Sequence, residues 1–204
     1  MIELFRKYKI YYSLAFTFIL LGLLSLLFLD KGEMVLELND KHTIILDNFF
    51  LGITKIGETI GGILIFMVLL LFAKREFTYI FLISILLSLI VSQGLKRLVF
   101  SDESRPSATY EDLKPVANLE RHTDHSFPSG HTTAAFTFFT LLALGIEKRW
   151  VQVVAPVAAS LIGISRVYLG QHYLNDIVAG AVLGLFLASV SVYLFHKYFP
   201  EKSE

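Results

Sequence analysis

The chain has 204 residues, 54% of them hydrophobic, and a mean hydropathy of +0.62, which is too apolar for an ordinary soluble domain of this length. Its formal net charge is zero, so the charge balance implies no nucleic-acid partner. It contains no cysteine, which excludes disulfide bonds and thiolate metal sites but does not identify the compartment.

Six apolar runs follow one another along the chain and give its predicted architecture. Their approximate bounds are residues 10–29, 49–73, 77–100, 131–146, 151–167 and 173–198. Because every backbone group in hydrocarbon must be hydrogen-bonded within its own segment, each run is expected to be a helix. The sequence therefore predicts an all-α protein, an integral membrane bundle of six transmembrane helices that forms a single domain over residues 1–204.

The amino-terminal half adds three expectations. No small-residue cleavage site follows the first run, so we expect a retained helix and not a removed signal peptide. Residues 30–47 are polar and mixed in charge and are expected to form an exposed loop. The first third of the second run contains Lys55 and Glu58, which predicts that this part lies at the membrane interface or packs inward.

The distribution of lysine and arginine predicts the orientation in the membrane. The amino terminus, residues 74–76, residues 147–149 and the tail with Lys197 and Lys202 carry basic residues and alternate with the other connections. We therefore expect a multi-pass protein of the cell membrane with both termini in the cytoplasm. The remaining connections hold the polar motifs and would face outward, so the site is expected to open on the extracytoplasmic side.

Residues 165–176 carry an arginine, a histidine and an aspartate between two apolar runs. An ionisable residue at the edge of a span is costly and indicates a functional site. His172 and Asp176 share one face if they open a helix, and a carboxylate beside an imidazole fixes its tautomer and stabilises its charged form. Arg166 supplies a planar fork suited to phosphate. The alternative is an ordinary short membrane loop with a capping aspartate.

The sequence Phe-Pro-Ser-Gly-His at residues 127–131 precedes the fourth run. Ser129 can cap the helix, and Gly130 lets a ligand approach the backbone. Free N–H groups and the helix dipole then make an anion site, with His131 in the first turn beside the anion. Taken alone, this motif is equally compatible with a simple helix cap.

Three cations are expected beside these groups. Lys96, at the end of the third run, follows Ser88 and Ser92 on one helix face, and Arg105 stands just before a proline. Together with Arg166 they would form a cation-rich pocket around two histidines and one aspartate. Such a pocket suits a multiply charged oxyanion better than a metal ion, which the fixed positive charges would repel.

A zinc site is the alternative for the histidines. Its ligands would be the two histidines and the aspartate of the motifs, with two further histidines from the preceding polar segment: His131, His172, Asp176, His122 and His125. The surrounding positive charges argue against it, so we predict no metal ligand.

Three motifs stand in order along the chain: Arg105-Pro106, Pro-Ser-Gly-His at residues 128–131, and Ser165-Arg166 with His172 and Asp176. Together they resemble the three-part signature of the type-two phosphatidic acid phosphatase superfamily, and the last two parts match in residue and spacing. The resemblance covers residues 77 to the carboxyl end well and the first two helices loosely. This family contains lipid phosphate phosphatases of membranes and, on the same scaffold, vanadium haloperoxidases.

One departure concerns the lysine of the first motif. In the family, six residues separate this lysine from Arg-Pro, but the corresponding position here is Leu98. Lys96 shares the inward row of serines, whereas Arg97 is turned about 100° away on the helix. We therefore expect Lys96 to be the ligand, with the extra residues absorbed in a looser turn over residues 100–104.

The resemblance implies a metal-independent hydrolase that needs no cofactor. Phosphate would be held by three cations and the start of the fourth helix: Lys96, Arg105, Arg166, Ser129 and Gly130. His172 would attack phosphorus and form a phosphohistidine, and Asp176 would orient it and stabilise its charge. His131 would protonate the leaving oxygen and then activate water.

The implied substrate is a phosphomonoester or diphosphate of a lipid, of the class of phosphatidylglycerol phosphate, phosphatidic acid or undecaprenyl diphosphate. A haloperoxidase would use the same oxyanion pocket for vanadate, but it would be expected to be soluble. A lipid or ion transporter or a scramblase would explain interior charges, but not a nucleophile and an acid in the form of two histidines.

Overall fold

The computed structural model describes residues 2–117 and 119–199, which form ten α-helices and, within these ranges, no strand. The helices are α1 Ile2–Lys7, α2 Lys9–Ser25, α3 Glu33–Asp40, α4 Ile44–Ile56, α5 Thr59–Phe72, α6 Arg75–Gly94, α7 Pro106–Thr109, α8 Gly130–Ile146, α9 Arg149–Tyr168 and α10 Leu174–Tyr198. A π-helical segment, Leu95–Val99, continues α6 directly. Lys202, predicted in the basic tail, lies outside the described residues.

The all-α prediction is confirmed, but the predicted number of six spans is not. Within the described residues, three helical stretches are long and apolar enough to cross a membrane: Arg75–Val99, Arg149–Tyr168 and Leu174–Tyr198. The pair α4 and α5 adds a fourth if it counts as one span, bent by 54° at its break. The apolar helices α2 and α8 are shorter, with 17 residues each.

The predicted exposed loop over residues 30–47 is wrong in part, because it contains α3 and the first turn of α4. Val35 of α3 is buried in the main core, and Met34 and Leu38 pack against that core. These residues lie within about one turn of each other, so α3 has an apolar face that its mixed charges concealed. The amide of Asn39, also buried, accepts a hydrogen bond from the backbone N–H of Lys114 at 2.9 Å and so ties α3 to the later loop.

The second apolar run is also not one straight helix. It breaks between α4 and α5 at Gly57 and Glu58, inside the part that was expected to lie at the interface or to pack inward. Thr54, one turn before the break, is buried, and Glu58 is exposed. The polar face of this run therefore packs inward at Thr54 and reaches the rim of the bundle at Glu58.

Helix α8 lies at the centre of the bundle and packs most closely against α10. A Cβ atom on Gly180 would lie 2.7 Å from the carbonyl oxygen of Ser129, and one on Gly184 would collide with the carbonyl of Thr133. Small residues let membrane helices approach in this way. The close contact brings the start of α10 against the start of α8, where the N–H of Ser129 donates to the carbonyl of Asp176 at 3.0 Å.

Helix α2 is attached to this pair by buried tyrosines. The hydroxyl of Tyr11 lies 2.7 Å from that of Thr140 in α8, and the hydroxyl of Tyr12 lies 2.9 Å from that of Ser189 in α10. Both tyrosine hydroxyls thus find partners in an apolar environment, where an unpaired hydroxyl would be costly.

Candidate active site

His172 and Asp176 form a buried pair at the junction of α9 and α10. Nδ1 of His172 lies 3.2 Å from Oδ2 of Asp176, and each side chain is only 1% exposed. The same carboxylate oxygen accepts the backbone N–H of Tyr173 at 2.9 Å and the hydroxyl of Ser126. These bonds fix the carboxylate, which in turn fixes the imidazole with Nε2 as its unengaged nitrogen.

The turn that presents His172 is closed by backbone bonds and a glycine. The N–H groups of Gln171 and His172 donate to the carbonyl of Arg166 at 2.9 Å and 3.2 Å. Gly170 between them has φ +65°, a left-handed conformation that favours glycine. The turn therefore holds His172 close to the backbone of Arg166, the arginine of the same motif.

Burial lowers the pKa of His172 well below its usual value of 6.5, and the positive charges of Arg105, Arg166 and Lys96 act in the same direction. The imidazole is therefore neutral at physiological pH before any anion binds. A neutral imidazole with a free Nε2 has the lone pair that a nucleophile needs.

Ser129 caps α8, as predicted from its motif. Its hydroxyl oxygen accepts the N–H of Thr132 at 3.4 Å and the hydroxyl of the same threonine at 2.9 Å. Gly130 begins the helix, and a Cβ atom there would lie 4.0 Å from Cε of Lys96. The first turn of α8 is thus adjacent to a lysine side chain, whose charge adds to the attraction of a helix amino terminus for an anion.

His131 lies in the first turn of α8 with its side chain 31% exposed. Its Nε2 lies 3.3 Å from Oε1 of Glu58, at the break between α4 and α5. This carboxylate was not among the predicted site residues, because it stands in an apolar run more than 70 residues away in sequence.

The three predicted cations converge on this region, and each is partly anchored. Arg166 is 4% exposed and donates from Nη1 to the hydroxyl of Thr54 at 2.8 Å, while its buried Nε has no partner among the described residues. Arg105 donates from Nε to the carbonyl of Asp124 at 2.8 Å and from Nη1 to that of Gln171 at 3.3 Å. Carbonyl partners leave the positive charges uncompensated, which suits an incoming oxyanion.

Lys96 and Arg97 lie on different faces of the π-helical end of α6. Lys96 is buried, and its Nζ donates to the carbonyl of His125 at 2.7 Å, whereas Arg97 is exposed. A π turn holds one residue more than an α turn. The structure thus accommodates part of the unusual spacing within the helix, where the sequence predicted only a looser turn over residues 100–104.

The histidines of the zinc alternative do not join the two site histidines. His122 and His125 are exposed, and they direct backbone carbonyls, not rings, at Ser107 and Lys96. Across the described ranges, no three side chains of histidine, aspartate or glutamate are grouped as a metal site would need.

Four side chains at the site were missed by sequence reasoning: Thr54, Glu58, Ser126 and Gln171. Ser126 and Gln171 stand next to predicted motif residues, so their position in the sequence was an available signal. Thr54 lies near the end of α4, and Glu58 lies four residues later at the break before α5. The sequence indicated Glu58 only as a charged residue within an apolar run.

An apolar cleft with a volume of about 670 Å³ leads to the site between α5, α6 and α8. Its walls consist mostly of glycine residues and of aromatic and aliphatic side chains, including Gly62, Phe66, Ile85, Leu89 and Phe138. Glu58, Gly130 and His131 line it as well. The polar site is therefore continuous with an apolar surface of the bundle.

Comparison with known proteins identifies relatives that are named as phosphatases. Phosphatidylglycerophosphatase B of Bacillus subtilis (strain 168) is 39% identical over 87 residues, which are 38% of this chain and 43% of that protein. Undecaprenyl-diphosphatase of Sulfolobus acidocaldarius is 28% identical over 162 residues, which are 78% of this chain and 76% of that protein. The chain thus matches less than half of the first relative and about three quarters of the second.

Two solved structures have the same fold. LpxE of Aquifex aeolicus has a TM-score of 0.71 and 29% identity, with coverage of 80% of this chain and 94% of that one. The transmembrane PAP2 type phosphatidylglycerolphosphate phosphatase of Bacillus subtilis has a TM-score of 0.68 and 23% identity, with coverage of 94% and 98%.

The sequence profile described as the PAP2 superfamily matches residues 77–200, which include all three motifs. The relatives named as phosphatases are hydrolases of phosphoric esters, the enzyme class that the motifs predicted. Apolar helices and membrane-protein relatives together identify a multi-pass membrane protein. Because the match extends over more than half of its length, this chain belongs to the PAP2 superfamily, the type-two phosphatidic acid phosphatases that its motifs resemble.

Proposed function

We propose that this protein is an integral membrane lipid phosphatase that hydrolyses a phosphomonoester or diphosphate of a lipid through a phosphohistidine intermediate, without a metal. One observation carries the proposal. The buried pair of His172 and Asp176 lies among three cations, and an apolar cleft reaches Gly130 and His131, which belong to the same group of motif residues. A pocket of this kind suits a phosphate on an apolar tail better than a soluble sugar phosphate.

The phosphate would be held by charge-assisted hydrogen bonds. Lys96, Arg105 and Arg166 supply the positive charges, and the backbone of Ser129 and Gly130 supplies N–H donors at the start of α8. These groups stabilise the negative charge that spreads over the phosphoryl oxygens in the transition state. Nε of Arg166 has no partner among the described residues, so its N–H is available to donate to an anion.

Covalent chemistry follows from the tautomer of His172. Asp176 accepts the Nδ1–H, so the Nε2 lone pair attacks phosphorus in line and the bond to the leaving oxygen breaks. The phosphorylated ring becomes positive, and the carboxylate 3.2 Å away stabilises that charge. Protonated His131 donates a proton to the leaving oxygen and then removes one from the water that releases phosphate.

The apolar cleft supports the lipid part of the proposal. Its walls belong to α5, α6 and α8, so an acyl or isoprenoid chain lying there would extend into the hydrocarbon of the bilayer. Relatives are named for phosphatidylglycerol phosphate, undecaprenyl diphosphate and lipid A, which all join phosphate to long apolar chains. The proposed substrate class is therefore a lipid phosphate.

Phosphate release tests this function. Purified protein in detergent is expected to release inorganic phosphate from at least one of phosphatidic acid, phosphatidylglycerol phosphate and undecaprenyl diphosphate. EDTA is expected to change the rate by less than about twofold, because cations of the protein itself hold the phosphate. Transport of an intact lipid without phosphate release would favour a transporter or scramblase. A rate abolished by EDTA and restored by zinc would contradict the metal-free mechanism.

The proposal includes six spans in a single domain over residues 1–204, namely α2, the bent pair α4 and α5, α6 with its π-helical end, α8, α9 and α10. Helices of 17 residues such as α2 and α8 reach about 25 Å, slightly less than the hydrocarbon thickness. The apolar sequence continues past α2 to Leu29, and α8 is followed by the charged residues Glu147 and Lys148. Both termini would be cytoplasmic, with the site open to the extracytoplasmic side of the cell membrane.

Cysteine labelling tests the orientation, since the natural chain has no cysteine. Glu111→Cys, in the loop before the second motif, is expected to react with a membrane-impermeant maleimide in intact cells. Lys148→Cys, between α8 and α9, is expected to react only after the cells are permeabilised. Both positions are exposed, so a difference reports the side of the membrane. The reverse pattern would contradict the proposed orientation.

A further inference from the structure

Glu58 stands outside the three motifs, yet its carboxylate contacts the site. It lies at the break between α4 and α5, and its Oε1 is 3.3 Å from Nε2 of His131. The break is closely packed against the site, because a Cβ atom on Gly57 would meet Ile162 and would lie 3.4 Å from the carbonyl of His131. One turn earlier, Thr54 contacts Arg166. The second apolar run therefore approaches two site residues at once.

Each of the two site histidines has its own carboxylate, but on opposite ring nitrogens. Asp176 contacts Nδ1 of His172, and Glu58 contacts Nε2 of His131. A carboxylate keeps a proton on the nitrogen that it contacts, so the neutral ring has its lone pair on the other nitrogen. The two contacts thus select opposite tautomers, with Nε2 reactive in His172 and Nδ1 reactive in His131.

The charges around His131 make such a partner important. Glu58 contacts its ring, and the charges of Arg166, His172, Arg105 and Lys96 act on it from nearby. The lysine and the arginines repel a protonated imidazole, although a general acid must carry that proton. Among the described residues, Glu58 is the one carboxylate within hydrogen-bonding distance of the ring, and it opposes this repulsion.

We infer that Glu58 is a positioning residue for His131, an inference that rests on the proposed function. In the protonated ring, Nε2–H donates to Glu58 and Nδ1–H faces the leaving oxygen. As the phosphorus–oxygen bond breaks, its electron pair and the Nδ1 proton go to that oxygen, and the neutral ring keeps its proton on Nε2. In the second step Nδ1 takes a proton from water, whose oxygen bonds to phosphorus while the bond to His172 breaks.

Two aryl phosphates of nearly the same shape test this role. 4-Nitrophenolate leaves without help, whereas phenolate needs a proton from the general acid. Glu58→Gln is expected to lower kcat/KM for phenyl phosphate by at least about tenfold and for 4-nitrophenyl phosphate by less than about threefold. Glu58→Asp keeps the charge and is expected to recover part of the loss. Glu111→Gln removes an exposed carboxylate from the outer loop and serves as the matched control, with no expected change.

The outcomes separate this inference from the proposed function. An equal loss of kcat/KM with both esters would mean that Glu58 supports the fold or the binding of phosphate, and it would overturn the inference. No loss of kcat/KM with either ester would also overturn it. Phosphate release from a lipid phosphate is measured in parallel. If the wild type cleaves aryl phosphates but no lipid phosphate, the lipid proposal fails while the two esters still decide the role of Glu58. A wild type that cleaves neither a lipid phosphate nor an aryl phosphate would overturn both the proposed function and the inference about Glu58.

Discussion

Replacing His172 by alanine is expected to lower turnover of a lipid phosphate by at least about a thousandfold, because the substitution removes the attacking atom itself. The imidazole is buried, with its Nδ1 held by Asp176 and its Nε2 unengaged. Two described histidines have a carboxylate near Nδ1, His172 and His42, and of these His172 is the one whose ring lies among the cations Lys96, Arg105 and Arg166. Phosphate release by purified protein measures the effect.

Folding must be separated from chemistry in this experiment, since alanine leaves a cavity in a closely packed region. His172→Gln keeps most of the volume and is expected to be equally inactive, with a thermal transition in detergent close to that of the wild type. Asp176→Asn is expected to cost less than either, because it removes orientation and charge stabilisation but leaves the nucleophile. Turnover of either His172 variant within tenfold of wild type would contradict the nucleophile assignment.

Replacing Lys96 by methionine is expected to lower kcat/KM by at least about tenfold, the loss of roughly one charge-assisted contact. Methionine keeps the apolar stem of this buried side chain and removes the ammonium, which lies next to the first turn of α8. Arg97→Ala is the matched control, because Arg97 is the adjacent cation but is exposed. Its effect is expected to be less than about threefold, as for a screened surface charge.

Side-by-side assays on a single lipid phosphate decide whether Lys96 or Arg97 is the residue that binds phosphate. A larger loss for Arg97→Ala than for Lys96→Met would mean that the end of α6 turns differently when substrate is bound. Lys96→Arg adds a further comparison, since a guanidinium on a longer stem keeps the charge but must displace the contact with the carbonyl of His125.

The motif residues could be predicted from sequence because each motif is a short continuous stretch whose chemistry is local. Asp176, in the first turn of α10, reaches back to His172 in the turn just before the helix, and a serine before a glycine caps α8 without any help from the rest of the fold. Their convergence was predicted from small residues such as Ser88 and Ser92, which mark the inward helix face that carries Lys96. The structure brings them together as expected, while their catalytic roles stay predictions.

The residues that were missed depend on how helices pack, which sequence patterns alone do not fix. Glu58 reaches His131 only because the second run breaks and bends by 54° there. Helix α3 was missed for a related reason, since its apolar face is short and is completed by contact with the core. Both features arise from tertiary packing that overrides a local pattern.

The π-helical end of α6 has a consequence for how motifs diverge among related proteins. An extra residue inserted in an α-helix would normally rotate every later side chain by about 100° and carry an essential group out of place. A π turn absorbs one of the two extra residues locally, and the ammonium of Lys96 still reaches the carbonyl of His125. The lysine can therefore drift along the chain relative to Arg105 by insertion or deletion while the charge stays where phosphate would bind. A search for distant homologues with a rigid spacing between these two residues would discard chains of this type.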